Sequence, residues 1–207
     1  MMIKHIVFDI GRVLIRWEPE LPYLRLIPDD AHRAWFLANV CTGDWNKEQD
    51  RGRTWADAED ALIAQHPDEA HNIRAYRAHW HEMVPGLIEG TSEIFDALLA
   101  AGYDVTMLTN FSTETFPEAQ ERFPVLKKSR GVTVSGAIGL IKPDRAIYDH
   151  HVKRFDLDPA ATLFFDDSAD NVTGAQAAGW QACLFTDAGQ MRRDLKAHGV
   201  ALDGSSQ

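Results

Sequence analysis

Five short apolar runs punctuate the chain at residues 5–10, 103–109, 132–134, 162–165 and 181–186, and helical patterns fall between several of them. Runs this short and this apolar fit strands buried on both faces, the condition of a parallel sheet covered by helices on each side. The clearest helical pattern is "TSEIFDALLAAGYDV". Thr91 or Ser92 can cap its start, Ile94, Phe95, Leu98 and Leu99 make one apolar face, and Gly102 supplies a left-handed exit. "NVTGAQAAGWQACLF" repeats the pattern with Gly179 as the exit. The alternation predicts an α/β fold.

Between residues 16 and 85 the alternation stops. That interval holds helix-like segments such as "DDAHRAWFLANV" and "TWADAEDALIAQH" but no convincing strand, and it re-enters through "VPGLIEG". The economical organisation is a core made of residues 1–15 and 86–207, with a helical subdomain of residues 16–85 inserted after the first strand. The last five residues, "DGSSQ", read as a frayed tail.

A chain of 207 residues is long enough to bury such a core and carry the insert. Its 45% apolar and 25% charged content is that of a soluble globular protein. The net charge of -10 repels nucleic acid and acidic membranes, so neither is an expected partner. A small anionic substrate would need a local positive site or a bound metal. Cys41 and Cys183 form no disulfide or zinc pattern, no stretch is long enough to span a bilayer, and the N-terminus enters a strand without a basic leader. The expectation is a reduced, cytoplasmic protein, monomeric or homodimeric.

Four short polar motifs fall at the C-terminal ends of predicted strands, where ligands bind in open parallel sheets. They are Asp9 in "FDIG", Thr109 and Asn110 in "LTN", Lys142 in "GLIKPD", and Asp166 with Asp167 in "FFDDSADN". Each alone is a common turn or surface feature. Together, a carboxylate can attack phosphorus as a nucleophile, a hydroxyl and backbone amides can bind the transferring oxygens, and a lysine can neutralise charge beside them. Three carboxylates at one place repel one another unless a hard cation joins them, and oxygen ligands favour Mg²⁺.

In this order and context the motifs resemble those of the haloacid dehalogenase superfamily of hydrolases, over nearly the whole chain. "GLIKPDRAIY" and "FFDDSADNVTGA" look closest to the bacterial sugar-phosphate phosphatases, including those acting on α-glucose 1-phosphate, and to the phosphatase domain of epoxide hydrolases. The resemblance implies a Rossmann-like core with a five-stranded parallel sheet, the Asp9 strand central and the Asp166 strand beside it, and a small helical cap. It also implies catalytic roles for Asp9, Thr109, Asn110 and Lys142. Mg²⁺ would take Asp9, the carbonyl of Gly11 and a carboxylate of the last motif, with Asp167 the preferred ligand, Asp166 its supporting partner and a shared role open. Asn171 stands where many relatives have an Asp, leaving one fewer charge to orient water; a plain helix N-cap is the equal alternative.

Gly11 is the main departure, because relatives usually carry at this position the acid that protonates the leaving oxygen. Its loss removes a contribution of about 10²- to 10⁴-fold but neither the nucleophile nor the metal site. The leading expectation is therefore a Mg²⁺-dependent phosphatase for a small phosphorylated metabolite, a sugar phosphate among the candidates. A 2-haloacid dehalogenase, whose halide needs no proton, ranks lower, since such enzymes work without metal and carry serine-type residues where Asp166 and Asp167 stand. A non-catalytic binding module is the third alternative.

Substrate choice is expected from the cap, where "TGDWNKEQDRG" offers Trp45, Asn46, Gln49 and Arg51, with Trp17 at the entrance. Asp44 and Asp50 are the first groups to consider for the missing proton. His79 and His81 in "HWHEM", two apart on a helix, should not share a site, and Arg12 beside the catalytic turn reads as a surface ion pair.

Overall fold

The structure is a computed structural model that describes residues 2–202, so the tail 203–207 lies outside the described residues. Strands β1 (His5–Phe8), β2 (Asp104–Thr109), β3 (Val132–Val134), β4 (Thr162–Asp166) and β5 (Gln181–Leu184) form one parallel sheet in the order β3-β2-β1-β4-β5. The Asp9 strand is central and the Asp166 strand lies beside it, as the motifs require. Phe8 faces Met107 on one side and Phe165 on the other, and the Asp9 amide still donates to the Phe165 carbonyl at 2.9 Å.

Alternation along β1 divides the interior into two layers. Ile6 and Phe8 join Phe95, Met107 and Phe165 on one face, whereas Val7 joins Leu108, Tyr148, Phe164 and Trp180 on the other. The helix Thr91–Ala100 covers the first layer and exits through left-handed Gly102, as the helix Ala169–Ala177 exits through Gly179. The start of Thr91–Ala100 differs from the sequence expectation. Gly90, at φ 80°, occupies the cap position, and the Thr91 hydroxyl turns back to donate to the Ile88 carbonyl.

The second layer buries a polar pair of contacts, in which His151 bridges the hydroxyls of Thr106 (3.0 Å) and Thr133 (2.8 Å). Burial pushes the His151 pKa down to about 3, and Arg154 adds in the same direction. An unfolded histidine takes a proton near 6.5, so the unfolded state binds more protons below that pH and stability is lost as pH falls from about 6.5 towards 3. We expect His151→Gln to remove roughly 2 kcal/mol of the stability lost between pH 6.5 and 5. Urea unfolding of both proteins across this range checks it; identical pH dependence would contradict the assignment.

Residues 16–85 contain helices at Tyr23–Leu26, Asp30–Asn39, Gly43–Asp50, Trp55–Gln65, Ala70–Ala78 and Trp80–Met83. Asp29, Thr42 and Thr54 cap three of them through their side chains. Tyr23, Phe36, Cys41, Trp55, Leu62, Ile73 and Tyr76 pack into a separate apolar cluster. The two connections run side by side. Arg16 donates to the Gly86 carbonyl, Ile88 to that of Leu14, and Glu18 to that of Met83. The insert is also tied down on the core, where Trp55 donates from its backbone to Glu114 and from its indole to Ser112. Among the described residues no helix is long and apolar enough to cross a membrane.

Candidate active site

Parallel pairing delivers the motif residues to one end of the sheet. Lys142, only 1% exposed, places its ammonium 2.8 Å from an Asp9 oxygen and 2.6 Å from Asp166. Burial disfavours this ammonium, but the carboxylates of Asp166 and Asp9 outweigh it and raise its pKa. Burial likewise pushes the Asp9 carboxyl up to about 7; Lys142 opposes the rise, while Asp166 and Asp167 add to it. One positive charge thus serves three carboxylates, and oxygen atoms of Asp9, Asp166 and Asp167 all lie within 4.8 Å of one another.

The neighbouring aspartates are not equivalent. Asp166 is fully buried, and both its oxygens are occupied: one accepts from Lys142, the other from the Ser168 amide and the Asn171 side chain, each at 2.9 Å. Asp167 is partly exposed on the cavity wall, and its nearest cation is Arg12 at 4.0 Å. Ser168, not Asn171, caps the helix Ala169–Ala177, and Asn171 instead orients Asp166. The all-oxygen donor set of Asp9, Asp167 and the Gly11 carbonyl fits a hard cation, with Asp166 fixing the lysine behind it.

The turn after Asp9 is built from a small ladder. Ile15 donates to the Ile10 carbonyl and Arg12 to the Ile15 carbonyl, which leaves the Gly11 carbonyl outside this bridge. The left-handed residue is Arg12, at φ 57°, rather than Gly11. A Cβ at residue 11 would meet nothing within 4 Å, so no backbone or steric demand keeps glycine there.

Thr109 ends β2 beside Asn110, its hydroxyl buried and, among the described residues, without a partner. A buried orphan hydroxyl is costly unless a bound group uses it, which suits a phosphoryl oxygen. Asn110 grips Lys142 in both directions, donating to its carbonyl at 3.1 Å and accepting from its amide at 2.9 Å. Its side chain thereby locks the two motif loops together.

Asp9, Gly11, Asn110, Lys142 and Asp167 open on a cavity of about 850 Å³ whose wall also takes in residues of the 16–85 segment. Of the cap residues singled out from sequence, Trp17 and Asn46 line it, as do Asp44 and Asp50. Trp45, Gln49 and Arg51 do not. Trp45 packs edge-on against Trp55 and Tyr76, Gln49 is fully buried and bonded to the Trp45 carbonyl, and Arg51 points to Glu48 and Asp144. Helical spacing explains the difference, since the buried face of Gly43–Asp50 takes positions 45 and 49 and leaves 46 and 50 towards the site. The cavity wall also includes Leu21, Leu24, Leu37, Tyr76 and Trp80, which sequence reading missed. Their only signal was three- and four-residue spacing, which equally describes helix packing.

His79 ends one helix and precedes the next, so the chain turns there and the His79 and His81 rings lie 6.2 Å apart rather than on separate faces. His79 hydrogen-bonds Glu82 at 2.7 Å. Neither histidine lines the cavity, although Trp80 between them does.

Residues 3–179 match the family model described as haloacid dehalogenase-like hydrolase. The chain is 27% identical over 186 residues to the sesquiterpene phosphatase astK of Aspergillus oryzae, covering 89% of this chain and 90% of that protein. It is 36% identical over 109 residues to phosphatase MT3486 of Mycobacterium tuberculosis, half of each chain. In fold it is similar to the HAD family enzyme bt-2542 of Bacteroides thetaiotaomicron in its magnesium complex, with a TM-score of 0.69, 21% identity and coverage of 91% and 96% of the two chains. An aspartate at the end of the central strand, a buried lysine bridging two carboxylates and a family match spanning most of the sequence lead to one assignment: the chain belongs to the haloacid dehalogenase-like hydrolases.

Proposed function

We propose that this hydrolase is a Mg²⁺-dependent phosphatase of small phosphorylated metabolites, working through an aspartyl-phosphate on Asp9. The observation that carries this reading is the Lys142 ammonium shared by Asp9 and Asp166, with the Asp167 carboxylate in the same cluster at the cavity wall. The phosphatases astK and MT3486 support the reaction class. Residues 16–85 serve as the cap in this reading, acting as a cytoplasmic monomer or homodimer with its core.

Lys142 holds Asp9 in place and draws the phosphate towards it. Asp9 then attacks phosphorus through a side-chain oxygen, the ester oxygen departs, and water attacks the phosphorus of the aspartyl-phosphate to release phosphate and restore the carboxylate. Thr109 and the backbone at Asn110 donate to the transferring oxygens. Mg²⁺, held by Asp9, Asp167 and the Gly11 carbonyl, would supply charge neutralisation between the carboxylates and the phosphoryl group.

The leaving group faces the cap. Leu21, Leu24, Leu37 and Tyr76 give much of that wall an apolar character, which favours an alcohol with a large apolar surface over a sugar. A panel of sugar phosphates and long-chain alkyl or prenyl monophosphates, assayed for phosphate with and without Mg²⁺, tests both parts. Higher kcat/KM for the apolar esters is expected; a preference for sugar phosphates would overturn the substrate reading, and full activity in chelator the metal reading.

Because burial raises the Asp9 carboxyl pKa in the metal-free protein, protons compete with the cation for it. Mg²⁺ affinity should therefore rise with pH through about 7. Asp167→Asn should weaken it by roughly 10- to 100-fold. Calorimetric titration at pH 6 and 8 checks both; pH-independent affinity would remove Asp9 from the metal site.

A further inference from the structure

One acidic side chain on the cavity wall plays no part in holding the phosphoryl group or the cation. Asp50 ends the helix Gly43–Asp50 and lines the cavity with Asp9 and Lys142. Although it belongs to the insert, its backbone is fastened to the core. The Ser135 hydroxyl donates to the Asp50 carbonyl at 2.5 Å, and the next turn packs so closely that a Cβ on Gly52 would stand 2.9 Å from the Gly136 carbonyl oxygen. Gly136 in turn presses on the Phe111 carbonyl, directly after the Thr109 and Asn110 motif. On the other flank Arg53 donates to Gln49 at 2.8 Å and to the Trp45 carbonyl at 3.1 Å, which fixes the end of the helix. The loops that shape the phosphoryl site therefore also position Asp50 on the wall of the cavity into which Asp9 opens.

We infer that Asp50 supplies the proton transfer that residue 11 cannot. The inference rests on the phosphatase reading above. As the Asp9 oxygen bonds to phosphorus and the ester P–O bond breaks, the protonated Asp50 gives its proton to the departing alkoxide. The resulting Asp50 carboxylate then takes a proton from water as that water's oxygen attacks phosphorus and the P–O bond to Asp9 breaks. Phosphate leaves, Asp9 is again a carboxylate, and Asp50 is again protonated.

Electrostatics agrees with this placement. Burial pushes the Asp50 carboxyl up to about 7 and the Asp9 charge adds to the rise, while the Ser112 amide, Lys142 and Lys47 oppose it. Asp44 lines the same cavity but is exposed near the helix start. An acid with a pKa near the working pH can both give and take the proton in one cycle.

The test compares kcat/KM for a simple alkyl phosphate and for p-nitrophenyl phosphate, whose leaving group needs no proton. In the wild type the two values should lie close together. Asp50→Asn should lower the alkyl value by about 10²- to 10³-fold and the aryl value by less than about tenfold. Asp50→Glu should keep part of the alkyl activity. Gly11→Asp, added to Asp50→Asn, should recover at least about tenfold on the alkyl ester, because a side chain at residue 11 has free space and the usual position for an acid. Equal losses on both esters, no loss on the alkyl ester, or a steep leaving-group dependence already present in the wild type would overturn the role of Asp50. Failure of the wild type to release phosphate from either ester, or from the wider panel, would instead overturn the phosphatase reading on which it rests.

Discussion

Asp9→Asn is expected to lower phosphate release by at least roughly 10⁴-fold at saturating Mg²⁺, with little change in the urea midpoint of unfolding. The size follows from the role. An amide cannot form the acyl-phosphate bond, and Asp166, which shares Lys142 with Asp9, has both oxygens bound by Lys142, Ser168 and Asn171. The fold should survive, because the substitution also relieves the repulsion among three clustered carboxylates while Lys142 keeps Asp166 as its partner. Steady-state kinetics with a sensitive phosphate assay checks the first part and chemical unfolding the second. Activity within about 100-fold of wild type would show that hydrolysis proceeds without Asp9 as nucleophile.

Lys142→Met is expected to be the most damaging substitution for the protein as a whole. It removes the only cation within hydrogen-bonding distance of Asp9 and Asp166 among the described residues, leaving two buried carboxyl groups without a countercharge. Breaking a buried pair of this kind costs roughly 3–5 kcal/mol, and loss of an aligned positive group at the phosphoryl site lowers kcat by a further 10²- to 10³-fold, about the scale seen for a single electrostatic donor. The sign of the pH dependence is distinctive. Without Lys142 the Asp9 carboxyl, already raised by burial, loses the charge that opposes the rise, so the folded variant holds that proton and its stability at low pH and loses stability as pH increases. The deficit relative to wild type should therefore grow between pH 5 and 8, and Mg²⁺ should restore part of it by joining Asp9 and Asp167. A variant as stable as wild type at pH 8, without metal, would contradict the account of the buried cluster.

Much of this arrangement was legible in the sequence because it depends on short-range pattern and on one topological rule. Burial of β1 on both faces, with Ile6 and Phe8 in one layer and Val7 in the other, follows from an apolar run too short for a helix. Once the strands are parallel, residues just beyond their C-terminal ends must meet, which brings Asp9 and Asp166 together from opposite ends of the chain. The glycine exits at 102 and 179 are local signals of the same kind.

What escaped the sequence depends on how separate elements pack. Trp45 and Asn46 are adjacent residues of similar promise, yet the first is drawn into the aromatic cluster with Trp55 and Tyr76 and the second faces the cavity. Only the docking of that helix decides between them. The different duties of Asp166 and Asp167 likewise turn on where Lys142 and Asn171 reach, and Asn171 looked as much like a helix cap as a supporting group until Ser168 took the cap. Gly90 displaced Thr91 as the helix start because the Thr91 hydroxyl found the Ile88 carbonyl first. In the catalytic turn the strained residue proved to be Arg12, so the glycine at position 11 reflects no backbone necessity.

The covalent step on Asp9 is open to direct observation. The protein is mixed with Mg²⁺ and a phosphate monoester, quenched in acid within the first turnover, digested and mapped by mass spectrometry. The account predicts a peptide containing Asp9 that carries one phosphoryl group, absent from Asp9→Asn treated in the same way. Phosphate release at full rate with no phosphoryl group on that peptide, or with the group on a different side chain, would contradict it.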